Sequence, residues 1–197
     1  MKLQTKHAMM TLVASALLSA STFAEIRTFT IDKSHSSIEF GIKHMALSTV
    51  KGVFTDYDGR IAWDSADQKS VISGTVQVKS IDTRDAKRDA HLRDADFFNA
   101  DQFQQMTFVT KSIKKVKNKY VMVADLTIKG ITKTITAPLE VSPVVKDPWG
   151  NSRASFSTSF VINRQDFGLK YSQLLDNGGL MIGNDVTVTL DIEALQQ

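Results

Sequence analysis

Apolar and polar residues alternate along most of the chain, which places the two sets of side chains on opposite faces of extended strands. In residues 35–43, for example, Ile38, Phe40 and Ile42 share one face and polar residues take the other. Strong alternation also covers residues 119–129, 153–163 and 184–194, and weaker alternation covers residues 26–32, 53–63, 71–79, 106–112 and 131–145. This pattern is typical of antiparallel sheets with one solvated face, so we predict an all-β barrel or sandwich of eight or nine strands.

One long segment, residues 80–105, does not alternate, and it contains the charged stretch RDAHLRDADFF at 88–98. Thr83 or Asp82 can cap a helix in this segment, and Asp85 would then lie in the first turn. The sequence therefore predicts a short helical insert between two strands.

The charges of this insert have a structural and a functional interpretation. Asp89 and Arg93 have the spacing of an ion pair on a helix surface, which favours a solvated helix face. The alternative is that the same charges form a catalytic or metal-binding cluster. We favour the solvated face, because charge patterns of this kind usually belong to one.

Residues 1–24 have the layout of an export signal. Lys2 and Lys6 precede an apolar run, AMMTLVASALLSA, that is too short to span a bilayer, and TFA supplies small residues at the cleavage positions. We expect the mature chain, residues 25–197, to be an exported single domain. No later apolar run approaches the roughly 18 residues of a membrane-spanning helix, so no integral membrane segment is expected.

Composition excludes several classes of function. The chain has 24 basic and 21 acidic residues, and two of the lysines lie in the export signal, so the mature surface is nearly neutral. A surface without a basic block attracts nucleic acid or anionic membrane weakly, and no nucleic-acid partner is expected. The absence of cysteine excludes disulfides, a thiolate nucleophile and a cysteine zinc site.

The apolar face of the strands mixes bulky and small residues. The small ones are Gly74, Ala124, Ala137 and Ala154. A closed barrel of about eight strands is just wide enough to be filled by side chains or to hold one small ligand, and small inward residues favour the second case. A core filled by its own side chains remains the alternative. The residues predicted to line a ligand cavity are Ile38, Phe40, Ile42, Phe108, Met122, Leu126, Phe156, Phe160 and Ile162.

Three histidines follow the export signal, namely His35, His44 and His91. No pair has the four-residue spacing of a helical metalloprotease motif, and hydrogen-bonded structural histidines are commoner than metal ligands. We therefore assign no metal-ligating and no catalytic residue, and we expect no cofactor. An enzyme using His91 or His35 as acid/base on an isoprenoid or quinone remains an alternative.

Five segments together resemble the YceI-like family of exported, lipocalin-like lipid-binding proteins. They occur in order as IDKSHSSIEFGIKHM, VKGVFTDYDGRI, SIDTRDAKRDAHLRDADFF, ADLTIKGITK and INRQDFGL. The resemblance covers nearly all of residues 25–197. It implies an elongated antiparallel, lipocalin-like barrel with the charged insert as architecture near one end.

The same resemblance implies a function and a location. A soluble periplasmic protein would carry or sequester a polyisoprenoid, such as an isoprenoid quinone or polyprenyl phosphate, or a similar long-chain amphiphile. It would do no chemistry on this ligand, and a homodimer is left open. A small outer-membrane barrel is a weaker alternative, because alternation alone does not say which face points inward and aromatic residues are few.

A long amphiphile needs polar groups for its head at the mouth of an apolar barrel. Arg84, His91 and Arg164 are the candidates, because each lies where alternation stops. An arginine can bind phosphate through two parallel hydrogen bonds. The competing interpretation is that each arginine pairs with a neighbouring acid such as Asp85 or Asp166 to hold a loop.

Overall fold

Twelve antiparallel strands and one α-helix form the regular structure of residues 26–64 and 69–197, which are the residues that the computed structural model describes. The predicted export signal, residues 1–24, lies outside them. The strands are β1 (Ile26–Ile31), β2 (Ser37–His44), β3 (Ser48–Phe54), β4 (Tyr57–Asp64), β5 (Val71–Gln77), β6 (Ile81–Asp82), β7 (Gln105–Val116), β8 (Lys119–Ile128), β9 (Ile131–Val141), β10 (Val145–Lys146), β11 (Ser152–Asn163) and β12 (Ile182–Gln196). The helix, α1, is Ala86–Arg93.

Eight strands close into an antiparallel barrel in the order β1, β4, β5, β7, β8, β9, β11 and β12, with β12 returning to β1. Closure pairs the backbone groups that an open sheet would leave at its edges. The predicted all-β barrel with one short helical insert is therefore confirmed.

Three corners divide the barrel into a lower and an upper half. At each corner one strand continues into another after a short break: β1 into β2, β3 into β4, and β5 into β6. The lower strands β1, β4 and β5 pair with one another, whereas the upper strands pair in the order β12, β2, β3 and β6. The weak alternation of residues 53–63 is divided between two strands, because β3 ends at Phe54 and β4 begins at Tyr57. At the corner between them the Thr55 N–H donates to the carbonyl of Ser80.

The long strand β12 changes its partner at Glu193. Its residues from Ile182 to Asp191 pair with β2, and its last residues pair with β1. At the change, the Glu193 carbonyl accepts a hydrogen bond from the N–H of Asp32 at 2.8 Å, and the hydroxyl of Ser36 bonds both backbone groups of Glu193. These bonds replace the ladder where the strands diverge.

An ionic cluster covers this corner. The Arg153 guanidinium donates to Asp32 at 2.6 Å, to Glu193 at 2.7 Å and to Asp147 at 2.8 Å. Hydrogen bonds from the Ser34 hydroxyl, from Arg153 and from His35 hold the pKa of the Asp32 carboxyl well below its usual range. Arg153 likewise lowers the pKa of Asp147, and these acids raise the pKa of the guanidinium. One arginine thus ties three segments together.

Aromatic side chains close the lower end of the barrel. The Trp63 ring meets Tyr120 edge-on at 5.0 Å and Phe156 at 5.6 Å between ring centroids, and Phe29 meets Phe156 at 5.5 Å. Of these four residues, Phe29, Trp63 and Phe156 are buried. Edge-to-face contacts of this kind add to the free energy of apolar burial, and we call these four rings the aromatic floor of the barrel.

The helix α1 begins at a different residue from the one predicted. Asp85 is the N-cap, and its carboxylate accepts from the N–H groups of Lys87 and Arg88. Asp89 does not pair with Arg93 on the surface. It is buried and accepts from the N–H and the hydroxyl of Thr83. The spacing along the sequence allows Asp89 to pair with either Arg93 or Thr83. The burial of Asp89 in the first turn favours Thr83.

Phe40 packs on a position where only glycine fits without a shift of the neighbouring side chains. It lies opposite Gly52 across the β2–β3 pair, and a Cβ added at Gly52 would lie 2.4 Å from the Phe40 ring. The same Cβ would lie 2.8 Å from the Thr83 methyl carbon. Gly52 therefore lets the Phe40 ring lie against the barrel wall.

We predict that Arg153→Gln lowers the free energy of unfolding at neutral pH and flattens its dependence on pH. The lowered pKa values of Asp32 and Asp147 stabilise the fold above their unfolded values near 3.9, and this stabilisation is lost as the pH falls through the folded values. Urea denaturation between about pH 7 and pH 2 measures it. Lys111→Gln, which breaks the exposed pair with Asp125, is the control with a smaller effect. Equal pH slopes in wild type and Arg153→Gln would contradict the prediction.

We predict that Gly52→Ala destabilises the protein by about 1–3 kcal/mol, because the added methyl group overpacks the Phe40 ring. The double variant Gly52→Ala with Phe40→Leu should recover part of this loss, since leucine vacates the ring's place. Gly74→Ala is the control, because its Cβ would meet its nearest atom at 3.4 Å. Equal destabilisation at both glycines in urea denaturation would show that Phe40 is not the cause.

Candidate functional site

The barrel encloses a cavity of about 650 Å³ above the aromatic floor. Phe156 forms its base, and side chains of β2, β7, β8, β11 and β12 form its wall. A volume of this size lies within the range of small-molecule binding sites, and the wall is mainly apolar, as such sites are. The alternative of an interior filled by its own side chains is therefore wrong for the upper part of the barrel, although it holds for the floor.

All nine apolar residues predicted from alternation lie on this cavity. They are Ile38, Phe40, Ile42, Phe108, Met122, Leu126, Phe156, Phe160 and Ile162. Contact of these residues with a ligand stays a prediction. Residues of β12 such as Val188 and Leu190 also line the cavity. They follow the same alternation of apolar and polar positions but were not among the predicted residues.

The small residues that were predicted to leave room for a ligand lie in two different parts of the barrel. Gly74 lies on the cavity, where a side chain would narrow it. Ala124, Ala137 and Ala154 are buried outside the cavity lining. These alanines allow close packing in the barrel wall, so most of the space comes from the bent strands and not from small side chains.

The charged stretch RDAHLRDADFF forms part of the wall at the upper end. Its Phe98 meets Phe54 at 6.1 Å between ring centroids, and Phe54 meets Phe40 at 5.7 Å. The Lys129 ammonium donates to the Phe97 carbonyl at 2.6 Å and fastens the stretch to the end of β8. Alternation could not reveal these contacts, because the stretch is not extended.

His91 lies on the cavity within an aromatic cluster. Its ring meets Phe97 and Tyr171 edge-on, each at 5.0 Å between centroids, and its Nε2 lies 3.1 Å from a carboxylate oxygen of Asp96. His35 lies in the turn between β1 and β2, outside the cavity lining, and contacts Asp32. The two histidines proposed as acid/base in the enzyme alternative thus have different surroundings, and only His91 faces the cavity.

Arg164 lines the cavity, but its guanidinium is already hydrogen-bonded to the protein backbone. It is buried, and it donates to the backbone carbonyls of Leu169, Ile182 and Gly183. Burial lowers the pKa of this guanidinium. The predicted alternative of pairing with Asp166 is wrong, because the carbonyls that end the turn and begin β12 take its donors.

Arg84 lies outside the cavity lining, contrary to its predicted place at the mouth. It is exposed and has a φ of 62°, and its N–H donates to the Asp82 carboxylate at 2.7 Å. This turn directs the chain into α1. The cations that do line the cavity besides Arg164 are Lys43, Lys87 and Arg88, none of which was predicted.

Asp32, His35 and Glu193 present ligand atoms within 4.8 Å of one another, which is a spacing that could hold a metal ion. Arg153 contacts two of these three groups and already supplies the positive charge. The group is therefore explained as part of the ionic cluster at the strand corner. Among residues 26–64 and 69–197 the three histidines do not form a cluster of metal ligands.

In the described part of the chain, no helix combines the length and apolar character that crossing a bilayer requires.

Solved structures of similar fold come from several bacteria. The Campylobacter jejuni YCEI protein has a TM-score of 0.67 and 27% identity, with 95% of this chain and 99% of that chain covered. A polyisoprenoid binding domain from Saccharophagus degradans has a TM-score of 0.64 and 16% identity, with 86% and 98% covered. At that identity the second likeness shows the fold alone.

Sequence comparison leads to the same group of proteins. A UPF0312 protein of Staphylococcus aureus strain MSSA476 is 41% identical over 160 residues, which are 80% of this chain and 91% of that protein. The family model described as a YceI-like domain matches residues 29–194. The match spans the whole barrel from β1 to β12 and confirms the resemblance drawn from the five sequence segments. The chain belongs to the YceI-like family.

Proposed function

We propose that this protein is an exported carrier that takes up one long-chain isoprenoid, or a similar amphiphile, in the barrel cavity. The observation that carries the proposal is the cavity of about 650 Å³ with an apolar wall and an aromatic floor. The chain belongs to the YceI-like family, and one fold neighbour is described as a polyisoprenoid binding domain.

Burial of the ligand tail would supply most of the binding free energy. Each CH₂ group removed from water contributes roughly 0.8 kcal/mol, less the cost of immobilising the chain. Most wall residues present methyl groups and rings along the tail, and hydroxyl groups such as those of Thr107 and Thr158 are fewer. Affinity should therefore depend on tail length more than on head group.

The proposed location is the periplasm. It is supported by the export-signal layout of residues 1–24. The direction of the alternation also favours a carrier over an outer-membrane barrel. The apolar positions face the cavity, whereas a barrel in lipid turns its apolar positions outward.

The polar groups around the cavity favour binding over catalysis. Arg164 is held by backbone carbonyls and Arg88 by the Thr83 carbonyl and hydroxyl, so both serve the wall. In the described part of the chain, the side-chain contacts of His91 are Asp96 and two aromatic rings. An unchanged mass of each candidate lipid after incubation with the protein is the expected result, and a new product would support the enzyme alternative.

The head of the ligand would lie at the upper end, where charged side chains meet the cavity. Lys43 and Lys87 are exposed there, and in the described part of the chain their ammonium groups have no hydrogen-bond or ion-pair partner. These ammonium groups can pair with a phosphate head group, whereas a quinone carbonyl would accept a single, weaker hydrogen bond. Both head groups fit the proposal.

We predict that delipidated protein binds long prenyl chains well and short ones poorly. Ile192→Trp, which adds bulk beside Phe156 at the base of the cavity, should weaken binding of the longest chains by about tenfold or more and leave short chains unaffected. Calorimetry with a series of prenyl alcohols measures this. Val161→Trp adds the same bulk on the exposed face of β11 and is the control. Equal affinity for long and short chains in wild type would contradict the proposed function.

We predict that Arg164→Gln lowers the free energy of unfolding by about 1.5–3 kcal/mol, because charge-assisted hydrogen bonds to buried carbonyls are lost. Its effect on a polyprenyl phosphate and on a quinone with the same tail should be equal. Urea denaturation and calorimetry test the two parts. A selective loss of phosphate binding would instead give Arg164 the head-group role predicted from the sequence.

A further inference from the structure

A short β-ribbon stands at the upper end of the barrel, immediately before β12. In it the Met181 N–H donates to the Gln173 carbonyl at 2.9 Å, and the Leu175 N–H donates to the Gly179 carbonyl at 2.8 Å. Leu174 and Leu180 form the bridge between these two bonds. Residues paired in this way point to the same side, so the two leucines share one face of the ribbon.

The turn between β2 and β3 lies beside this ribbon. The Met45 N–H donates to the Met181 carbonyl at 2.8 Å, directly beyond the last β2–β12 pair, Ile182 with His44. The tip of this turn carries Leu47. We call residues 43–51 and 170–182 together the mouth rim.

The mouth rim exposes three leucines to solvent. Leu47 is 82% exposed, Leu174 is 71% exposed and Leu180 is 37% exposed. The exposed side chains stand next to the cavity, because His44, Tyr171, Met181 and Ile182 of the same segments line it. Exposed apolar groups gathered at the opening of an apolar cavity are characteristic of a surface that meets an apolar partner.

The charge of the mouth rim identifies the kind of partner. Residues 43–51 contain Lys43 and Lys51 and no acidic residue, and residues 170–182 contain Lys170 and Asp176. Three lysines against one aspartate give these two segments a net charge of +2, with His44 counted as neutral, although the whole mature chain is nearly neutral. Leucines between lysines suit the boundary between anionic lipid head groups and acyl chains, where apolar side chains insert and cations stay in the head-group layer.

We infer that the mouth rim docks on an anionic lipid bilayer and turns the cavity mouth toward it. The inference rests on the proposed function, since a long isoprenoid is held in a bilayer and has to leave it to enter the barrel. Docking would let the tail pass from acyl chains into the apolar cavity without crossing water, whose contact with each CH₂ is unfavourable.

The opposite end of the molecule offers a competing surface. Trp149 is 80% exposed in the loop before β11, beside Val145 and Lys146. The twelve residues of β11 separate this loop from the mouth by roughly 40 Å. The aromatic floor closes the cavity on that side, so docking there would leave the ligand without a path.

The test measures flotation of the protein with vesicles of phosphatidylcholine and phosphatidylglycerol, compared with vesicles of phosphatidylcholine alone. Wild type should float with the anionic vesicles, and Leu47→Ser with Leu174→Ser should reduce the bound fraction roughly tenfold, the order expected for losing inserted leucines. Trp149→Ser is the matched control and should float like wild type. Loss of flotation in Trp149→Ser alone, or no flotation of wild type, would overturn the inference.

A second measurement separates this inference from the proposed function. A fluorescent prenyl lipid supplied in detergent should bind wild type and the double leucine variant with equal affinity, because the cavity is unchanged. Its transfer out of vesicles should speed up with vesicle concentration for wild type and be at least about tenfold slower for the variant. Binding in detergent with no difference in transfer would overturn docking and keep the carrier, whereas flotation without any lipid binding would overturn the carrier.

Discussion

The change of partner along β12 is the constraint on which the barrel depends. If β12 paired with one straight strand along each edge, the barrel would be narrow and side chains would fill its interior. Here the ladder on one edge passes from β2 to β1 at Glu193, and Ser36, Asp32 and Arg153 satisfy the groups that the change exposes. The corner lets the upper strands separate from the lower strands, while the barrel strands remain hydrogen-bonded to their neighbours.

The cavity follows from that division. Below the corners the strands are close, and Phe29, Trp63, Tyr120 and Phe156 fill the space between them. Above the corners β2 and β3 extend the sheet outward, and the segment around α1 covers the remaining side through aromatic contacts. A closed end and an open end therefore arise from one bend repeated in three strands. This asymmetry gives a long amphiphile a place for its tail and a side from which to enter.

The charged stretch at 88–98 illustrates how far local patterns lead. Its spacing correctly predicted a short helix, because capping acids and helix-forming residues act within a few positions. The partner of Asp89 was wrongly predicted, because Arg93 and Thr83 are both within reach in sequence and only burial of the carboxylate against Thr83 selects one. The predicted pairing of Arg164 with Asp166 was wrong for a similar reason. The carbonyls that hold it belong to segments that come together only in the folded barrel.

The sequence by itself determined which face of each strand is apolar, since alternation of side chains is a property of the extended backbone and needs no tertiary information. For that reason the strands and nine residues of the cavity wall were predictable. The family was predictable from the resemblance of five sequence segments, which also implied the barrel. The tertiary structure alone decided where the interior is packed and where it is empty. In the described part of the chain, it also decided which charged groups have no hydrogen-bond or ion-pair partner, such as Lys43, and which are bound to the fold, such as Arg164. These properties depend on the bends at the strand corners and on contacts between distant segments, which no local period encodes.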